Sequence, residues 1–343
     1  MKRLLNTLYV TTQGAYLSRD GETVLVKVGD DTKLRVPIHT LEGIVCFGHI
    51  SCSPPLMRLC GERRVQITFM SEHGRFWARV QGPVSGNVLL RRQQYRAADD
   101  ADYSCSIARS CVAAKIANSR TVLQRALRDH SDKIQAAVVQ EAVERLSHIL
   151  DNVLTSEDLT KLRGLEGDAA RTYFAVFNHL IVAQKDFFAF YERSRRPPLD
   201  NMNAMLSFVY TVLTHDVVSA LESVGLDPAV GYLHTDRPGR PSLALDLVEE
   251  LRPMLADRLV LSLVNRQQVK PSGFTRTESG AVVMDDETRK QVITTYQKRK
   301  MEEIRHPFLD EKLEVGLIPF AQALLFARHI RGELEAYPPF FWK

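Results

Sequence analysis

The hydrophobic period of this chain changes once, near residue 85, and that change limits the possible folds more than any other feature. Up to about residue 82 the pattern is strand-like. Leu8-Tyr9-Val10, Thr23-Val24-Leu25-Val26-Lys27-Val28 and Gln66-Ile67-Thr68-Phe69-Met70 are rich in β-branched and aromatic residues. Turn signals such as Arg19-Asp20-Gly21 and Gly29-Asp30-Asp31 lie between them. One short helix is predicted there, from Pro54 to Glu62, with Ser53 as its N-cap and proline in its first turn. Val80 to Gly86 reads as a linker. Beyond it, apolar residues recur with helical spacing near 88–98, 102–129, 132–153, 156–182, 201–224, 242–266, 285–305 and 315–335. The expectation is an α+β chain of two domains: a small β domain over residues 1–85 and a large all-α domain over 86–343.

Composition narrows the function less. Apolar content of 45% and charged content of 25% are ordinary for a globular protein, and the net charge of +4 permits nucleic-acid binding without arguing for it. Cys46, Cys52, Cys60, Cys105 and Cys111 are odd in number and form no C-x-x-C pair, which fits reduced thiols in a cytosolic protein. A zinc set from Cys46, His49, Cys52 and Cys60 is the alternative, although its spacings match no known finger. Met1-Lys2-Arg3-Leu4-Leu5 begins like a signal peptide, but Asn6 and Thr7 interrupt the apolar run. The apolar stretch Ile318 to Ala327 is about half the ~20 residues of a membrane span and contains Gln322. A soluble, cytoplasmic protein is expected.

Two separated stretches hold the residues of chemical interest. Arg163-Gly164-Leu165-Glu166-Gly167 lies inside the predicted helix 156–182, for which Thr155 or Ser156 would be the cap. Each interior glycine costs about 1 kcal/mol relative to alanine. Close approach of another backbone or of a ligand would offset that cost, and a solvated glutamate in a loose helix is the alternative. The helix beginning at Ser242 has a buried stripe of Leu243, Leu247, Leu251 and Met254, with Asp246, Glu249 and Glu250 on the adjoining arc. Asp246 and Glu249 stand at the i,i+3 spacing, where like charges repel unless a cation lies between them. The competing reading is a solvated acidic face that suits the helix dipole. Pro253 cannot donate to the carbonyl of Glu249, so a kink is expected there. His234 sits on the Pro/Gly-rich loop before this helix, whereas His179, His215 and His306 read as structural. One histidine with two or three carboxylates suits Mg²⁺ or Mn²⁺ better than Zn²⁺.

Arginines surround these stretches. Arg193, Arg195 and Arg196 lie on one turn, Arg237 and Arg240 flank His234, and Arg163 precedes the glycine-flanked glutamate. Arg91, Arg92 and Arg96 follow the linker, and Lys298-Arg299-Lys300 ends a late helix. Such clusters fit phosphate contacts that position a duplex without reading its sequence, or simply a solvated face.

Leu162 to Gly167, Arg195 to Ser207, and Asp227 to His234 continuing through Arg237-Pro238 and Asp246 to Pro253 resemble the CRISPR-associated adaptation integrases (the Cas-one family). These proteins insert new spacers into a CRISPR array. The look is closest to type I, subtype I-C, and the likeness covers almost the whole chain. It implies a β-sandwich-like N-terminal domain, a helical catalytic domain, and a homodimer formed through the β domains. It also implies a hetero-hexamer with the small Cas-two partner, binding of double-stranded prespacer and leader–repeat DNA, and in some systems help from a Cas-four-type nuclease. The family's metal ligands map onto Glu166, His234 and Glu249 as catalytic residues, with Mg²⁺ or Mn²⁺ as cofactor. The third position is commonly aspartate in the family, so either Glu249 or Asp246 is the direct ligand. The implied reaction is attack of a 3′-hydroxyl on a phosphodiester. A stand-alone metal-dependent nuclease and a non-enzymatic DNA-binding scaffold are the rival readings.

Overall fold

The computed structural model describes residues 6–72, 76–80, 82 and 88–342. Of the expected linker, Gln81 and residues 83–86 lie outside the described residues. The chain separates into two compact units, Met1–Gly86 and Asn87–Lys343.

The first unit is built from β1 (Asn6–Val10), β2 (Tyr16–Asp20), β3 (Thr23–Val28), β4 (Asp31–Pro37), β5 (Leu41–Phe47), β6 (Ser51–Cys52), β7 (Gln66–Met70) and β8 (Phe76–Val80), with α1 (Pro54–Arg63) before β7. One sheet has the order β1-β5-β7-β8 and the other β4-β3-β2-β6. The first sheet is largely parallel: β1 pairs with β5 and β5 with β7 in parallel, and only β8 runs antiparallel. Alternation places Val10, Leu17, Val24, Ile44 and Ile67 in one core that also takes Leu56 and Leu59 from α1. Ser53 caps α1 as expected, its Oγ accepting from the backbone N–H of Leu56. The zinc alternative finds no support: among the described residues no three histidine, cysteine or acidic side chains are gathered as an ion-binding set, and all five cysteines are free thiols.

The second unit contains α2 (Val88–Asp99), α3 (Ala101–His130), α4 (Ala136–Leu154), α5 (Leu159–Ala175), α6 (Asn201–Val224), α7 (Ser242–Arg252), α8 (Arg258–Asn265), α9 (Asp286–Lys300) and α10 (Ile318–Ile330). Two hairpins complete it: β9 (Phe274–Arg276) with β10 (Val282–Met284), and β11 (Glu303–Arg305) with β12 (Lys312–Glu314). The 30-residue α3 is its axis, packing against α4, α5 and α7. Its buried run of Ala108, Cys111, Val112, Ala113 and Ala114 is small-sided, which lets those helices approach closely. Aspartates start the helices that carry or border the site: Asp100 caps α3, Asp158 caps α5 and Asp200 caps α6. The α6 helix is long and apolar enough to cross a bilayer, but 67% of its apolar window is buried within the protein, as befits a core helix.

Four local expectations change. The cap of α5 is Asp158 rather than Thr155 or Ser156, because Asp158 can reach the N–H of Lys161 while Ser156 is buried. No atom lies within 4 Å of the Cβ positions of Gly164 or Gly167, so these glycines face open space rather than another backbone. At Pro253 the irregularity takes the form of a widened turn. With no N–H to donate to Glu249, the backbone passes through a π-turn over Pro253–Asp257 before α8 begins. The helix expected over 285–305 ends at Lys300, where Lys300 pairs with Asp216 and the chain turns back through Pro307 as a hairpin.

Candidate metal centre

The loop between α6 and α7 is folded around one carboxylate. Gly225 ends α6 with a φ of 91°, which a side chain would resist. Gly231 passes so close to α7 that a Cβ would stand 2.6 Å from that of Ser242. Asp246, fully buried on α7, accepts the backbone N–H groups of Tyr232 at 2.7 Å, Leu233 at 3.0 Å and His234 at 2.9 Å. The same carboxylate lies 2.7 Å from Nδ1 of His234. An ionised carboxylate only accepts, so Nδ1 carries the proton and Nε2 is the ring's available ligand atom. From α5, Arg163 Nε donates to the carbonyl of Leu233 at 2.8 Å and closes the loop from the other side. His234 itself opens onto a cleft shared with Tyr95, Asp99, Arg163 and Thr235. Asp246→Asn would place an amide NH₂ against these N–H donors. Metal affinity is expected to fall by about 10–100-fold, with a lowered melting temperature. Calorimetric Mn²⁺ titration checks this, and wild-type affinity in the variant would refute the positioning role.

The acidic arc of α7 is not a solvated face. Asp246 and Glu250 are fully buried and Glu249 is 2% exposed. Glu249 is held by two cations: Arg252 Nη1 lies 2.6 Å from Oε1 and Lys115 Nζ lies 2.7 Å from Oε2. Burial alone would raise the pKa of Glu249, but Arg252 and Lys115 outweigh it and hold the carboxyl well below the usual range. Burial likewise opposes the charge of Lys115, and Glu249 and Glu166 overcome it. The Lys115 ammonium also pairs with Glu166 Oε1 from α5. It thus bridges the two carboxylates drawn from the two separated sequence stretches. His234 stands near enough to Glu249 for the two to interact electrostatically.

The donors suit a hard divalent cation in kind: two carboxylates and one oriented imidazole nitrogen. Oε2 of Glu249 is buried and faces the Lys115 ammonium at 2.7 Å. A carboxylate oxygen held by a mobile ammonium rather than by fixed backbone donors is one that a divalent cation could take over. As they stand, the side chains are not gathered into an ion-binding set among the described residues. The lysine occupies the space between the carboxylates.

The arginines divide into two groups. Arg195, Arg196 and Arg237 are exposed. Arg193 is spent inside the protein, donating to Asn203 Oδ1 at 2.6 Å and Ser207 Oγ at 3.0 Å. Arg240 donates to Ser242 Oγ and to the Thr235 carbonyl, bracing the His234 loop. Lys115 and Arg252 escaped the sequence reading. The signal for Lys115 was present: it is the lone charge in Cys111-Val112-Ala113-Ala114-Lys115-Ile116-Ala117, a run whose burial demands a partner.

Known proteins resemble this chain over most of its length. The family model described as CRISPR associated protein Cas1 matches residues 8–298. The chain is 54% identical over 343 residues to a CRISPR-associated endonuclease Cas1 of Chlorobaculum tepidum, covering 100% of both chains. It is 54% identical over 347 residues to one of Rhodospirillum rubrum, again covering 100% of both. A Cas4 exonuclease/Cas1 endonuclease fusion of that organism is 34% identical over 96% of this chain and 57% of its own length. Among solved structures, a Cas1 protein of Thermotoga maritima superposes with a TM-score of 0.83 at 22% identity, covering 97% of this chain and 99% of that one. A casposase bound to its integration product gives 0.82 at 20% identity over 99% and 95%. A Cas6-RT-Cas1–Cas2 complex gives 0.84 at 21% identity over 100% of this chain and 36% of the other. At these identities the superpositions establish the shared fold.

Proposed function

Since this chain belongs to the Cas1 family of CRISPR-associated proteins, we propose that it is a metal-dependent DNA endonuclease and integrase of CRISPR adaptation. It inserts captured DNA fragments at the leader–repeat end of an array by attack of a 3′-hydroxyl on a phosphodiester. The observation that carries this reading is the division of labour on α7. Asp246 spends its oxygens on the His234 loop, while Oε2 of Glu249 is engaged by the flexible Lys115 ammonium at 2.7 Å and by no backbone donor. Glu166, His234 and Glu249 are therefore the proposed ligands of Mg²⁺ or Mn²⁺, and Asp246 positions the imidazole. The family's third ligand falls on Glu249.

A bound divalent ion would supply a Lewis acid that favours the alkoxide of the attacking hydroxyl and offsets charge at the phosphorus. The chain's own residues do the rest. Asp246 fixes the orientation of the His234 ring through Nδ1, so Nε2 is the nitrogen that would hold an ion. Arg252 holds Glu249 in one rotamer from the protein side. Exposed Arg195, Arg196 and Arg237 meet the DNA backbone, and Arg163, Arg193 and Arg240 shape the walls they stand on. One phosphodiester replaces another, so no nucleotide triphosphate is consumed.

The proposed working form is a cytoplasmic homodimer joined with a Cas2 partner in a hetero-hexamer, loaded with double-stranded DNA, and aided where present by a Cas4-type nuclease. A system of type I, subtype I-C, is the proposed setting. The test incubates the protein and its Cas2 with a fluorescent 3′-hydroxyl duplex and a plasmid carrying leader and repeat, in Mn²⁺ or in EDTA. Label joined covalently to the plasmid only with metal is the expected result. Nicking without joining would replace the integrase with a nuclease, and inertness would remove the enzymatic reading.

A further inference from the structure

Around Glu249 the charges already cancel. Lys115 and Arg252 supply two positive charges, and Glu166 and Glu249 supply two negative ones. A divalent ion taking the same two carboxylates must therefore share them with a cation or expel it, because like charges at ligand distance repel strongly where water is scarce. The two cations differ in how firmly they are held. Arg252 keeps Oε1 of Glu249 and lies 4.9 Å over the ring of Tyr210, so its planar group is anchored on two sides. Lys115 has only the two carboxylates, reached by a flexible four-carbon stem.

We propose that Lys115 is a resident counter-ion of the metal centre, which closes the two carboxylates on each other without metal and leaves them when the divalent ion enters. The released ammonium then serves a phosphate oxygen of the bound DNA. This rests on the metal reading of Glu166 and Glu249 above. Two consequences follow from charge alone. Metal affinity in the absence of DNA is held down by the lysine. Metal and DNA bind cooperatively, because a phosphate that takes the ammonium leaves the carboxylates to the ion, and linkage makes the effect reciprocal.

The experiment is calorimetric titration of Mn²⁺ into wild type, Lys115→Met and Lys115→Arg, with and without a short DNA duplex. Lys115→Met keeps the length of the side chain without its charge. It is expected to bind Mn²⁺ at least about tenfold more tightly than wild type, while Lys115→Arg does not. The duplex is expected to raise the affinity of wild type and leave that of Lys115→Met unchanged. Equal or weaker Mn²⁺ binding by Lys115→Met overturns the counter-ion proposal and leaves the metal site standing. Absence of Mn²⁺ binding by wild type and variants alike overturns the metal reading itself. A measurement on wild type alone is independent of how the variants fold: amine acetylation at Lys115, followed by peptide mass spectrometry, is expected to quicken when Mn²⁺ replaces EDTA. An unchanged rate also overturns the proposal.

Discussion

Replacing Glu166 or His234 with alanine is expected to lower strand transfer by at least about a thousandfold while the protein stays folded, because each removes a proposed ligand of the ion that carries the charge of the reaction. The fold tolerates both changes for identifiable reasons. Glu166 is 27% exposed at its side chain, and its loss leaves Lys115 paired with Glu249 at 2.7 Å. Alanine is also the better helix former in a turn that holds Gly164 and Gly167. Without the His234 ring, Asp246 still accepts three backbone N–H groups, so the loop keeps its shape. Glu249→Ala is a poorer probe. It takes the carboxylate from Arg252, a buried cation, a change that costs about 3–5 kcal/mol in comparable pairs and confuses unfolding with loss of chemistry. Joined product on a gel, read beside thermal melting and size-exclusion elution, decides the matter. Either alanine variant yielding product within tenfold of wild type would refute the assignment.

Why the clean probes are Glu166 and His234 also explains what the sequence could reveal. The change of period gave the two-part architecture because side-chain periodicity is a local property, and α6 at Asn201–Val224 is observed where the pattern marked it. Boundaries were less visible where a tertiary contact set them. α9 ends at Lys300, whose ammonium pairs with Asp216, a residue 84 positions away that no window contains. The same limit applies to the candidate site. Glu166, His234, Asp246 and Glu249 were each conspicuous by type and setting, yet whether Asp246 or Glu249 faces an ion depends on where three backbone N–H groups of the preceding loop point. The arc of acids also read as well for a solvated face as for a buried one. The burial of Glu249 depends on Lys115 and Arg252 as counter-charges, and Lys115 arrives from a helix more than a hundred residues earlier.

Glu250→Ala is expected to destabilise the helical unit by about 3 kcal/mol, a fall of about 10 °C in melting temperature, because it strips a buried carboxylate from several donors at once. Glu250 accepts from Tyr337 Oη at 2.5 Å, from Gln322 Nε2 at 3.1 Å and from the backbone N–H of Phe340. It thereby ties the C-terminal segment to α7. Asn118 makes the parallel tie, donating to the carbonyls of Glu250 at 2.7 Å and Phe340 at 2.8 Å and accepting the N–H of Trp342. Arg125 and Arg258 then hold the Trp342 ring from 3.9 and 4.6 Å. Successive residues of a helix point about 100° apart, so Glu249 faces Lys115 while Glu250 faces this strap, and the strap backs the turn that presents the proposed ligand. Burial pushes the Glu250 carboxyl up to about 7 from an ordinary 4.5, although its three donors pull the other way. The folded state therefore holds a proton that the unfolded state has lost across that interval. The contribution is fully present below about pH 4.5 and is lost as pH rises through about 7. Subtracting the Glu250→Gln melting curve from that of wild type isolates this group, and the wild-type advantage is expected to shrink from pH 5 to pH 8. An advantage that grows with pH would mean that the donors prevail over burial and the carboxylate is ionised in its strap.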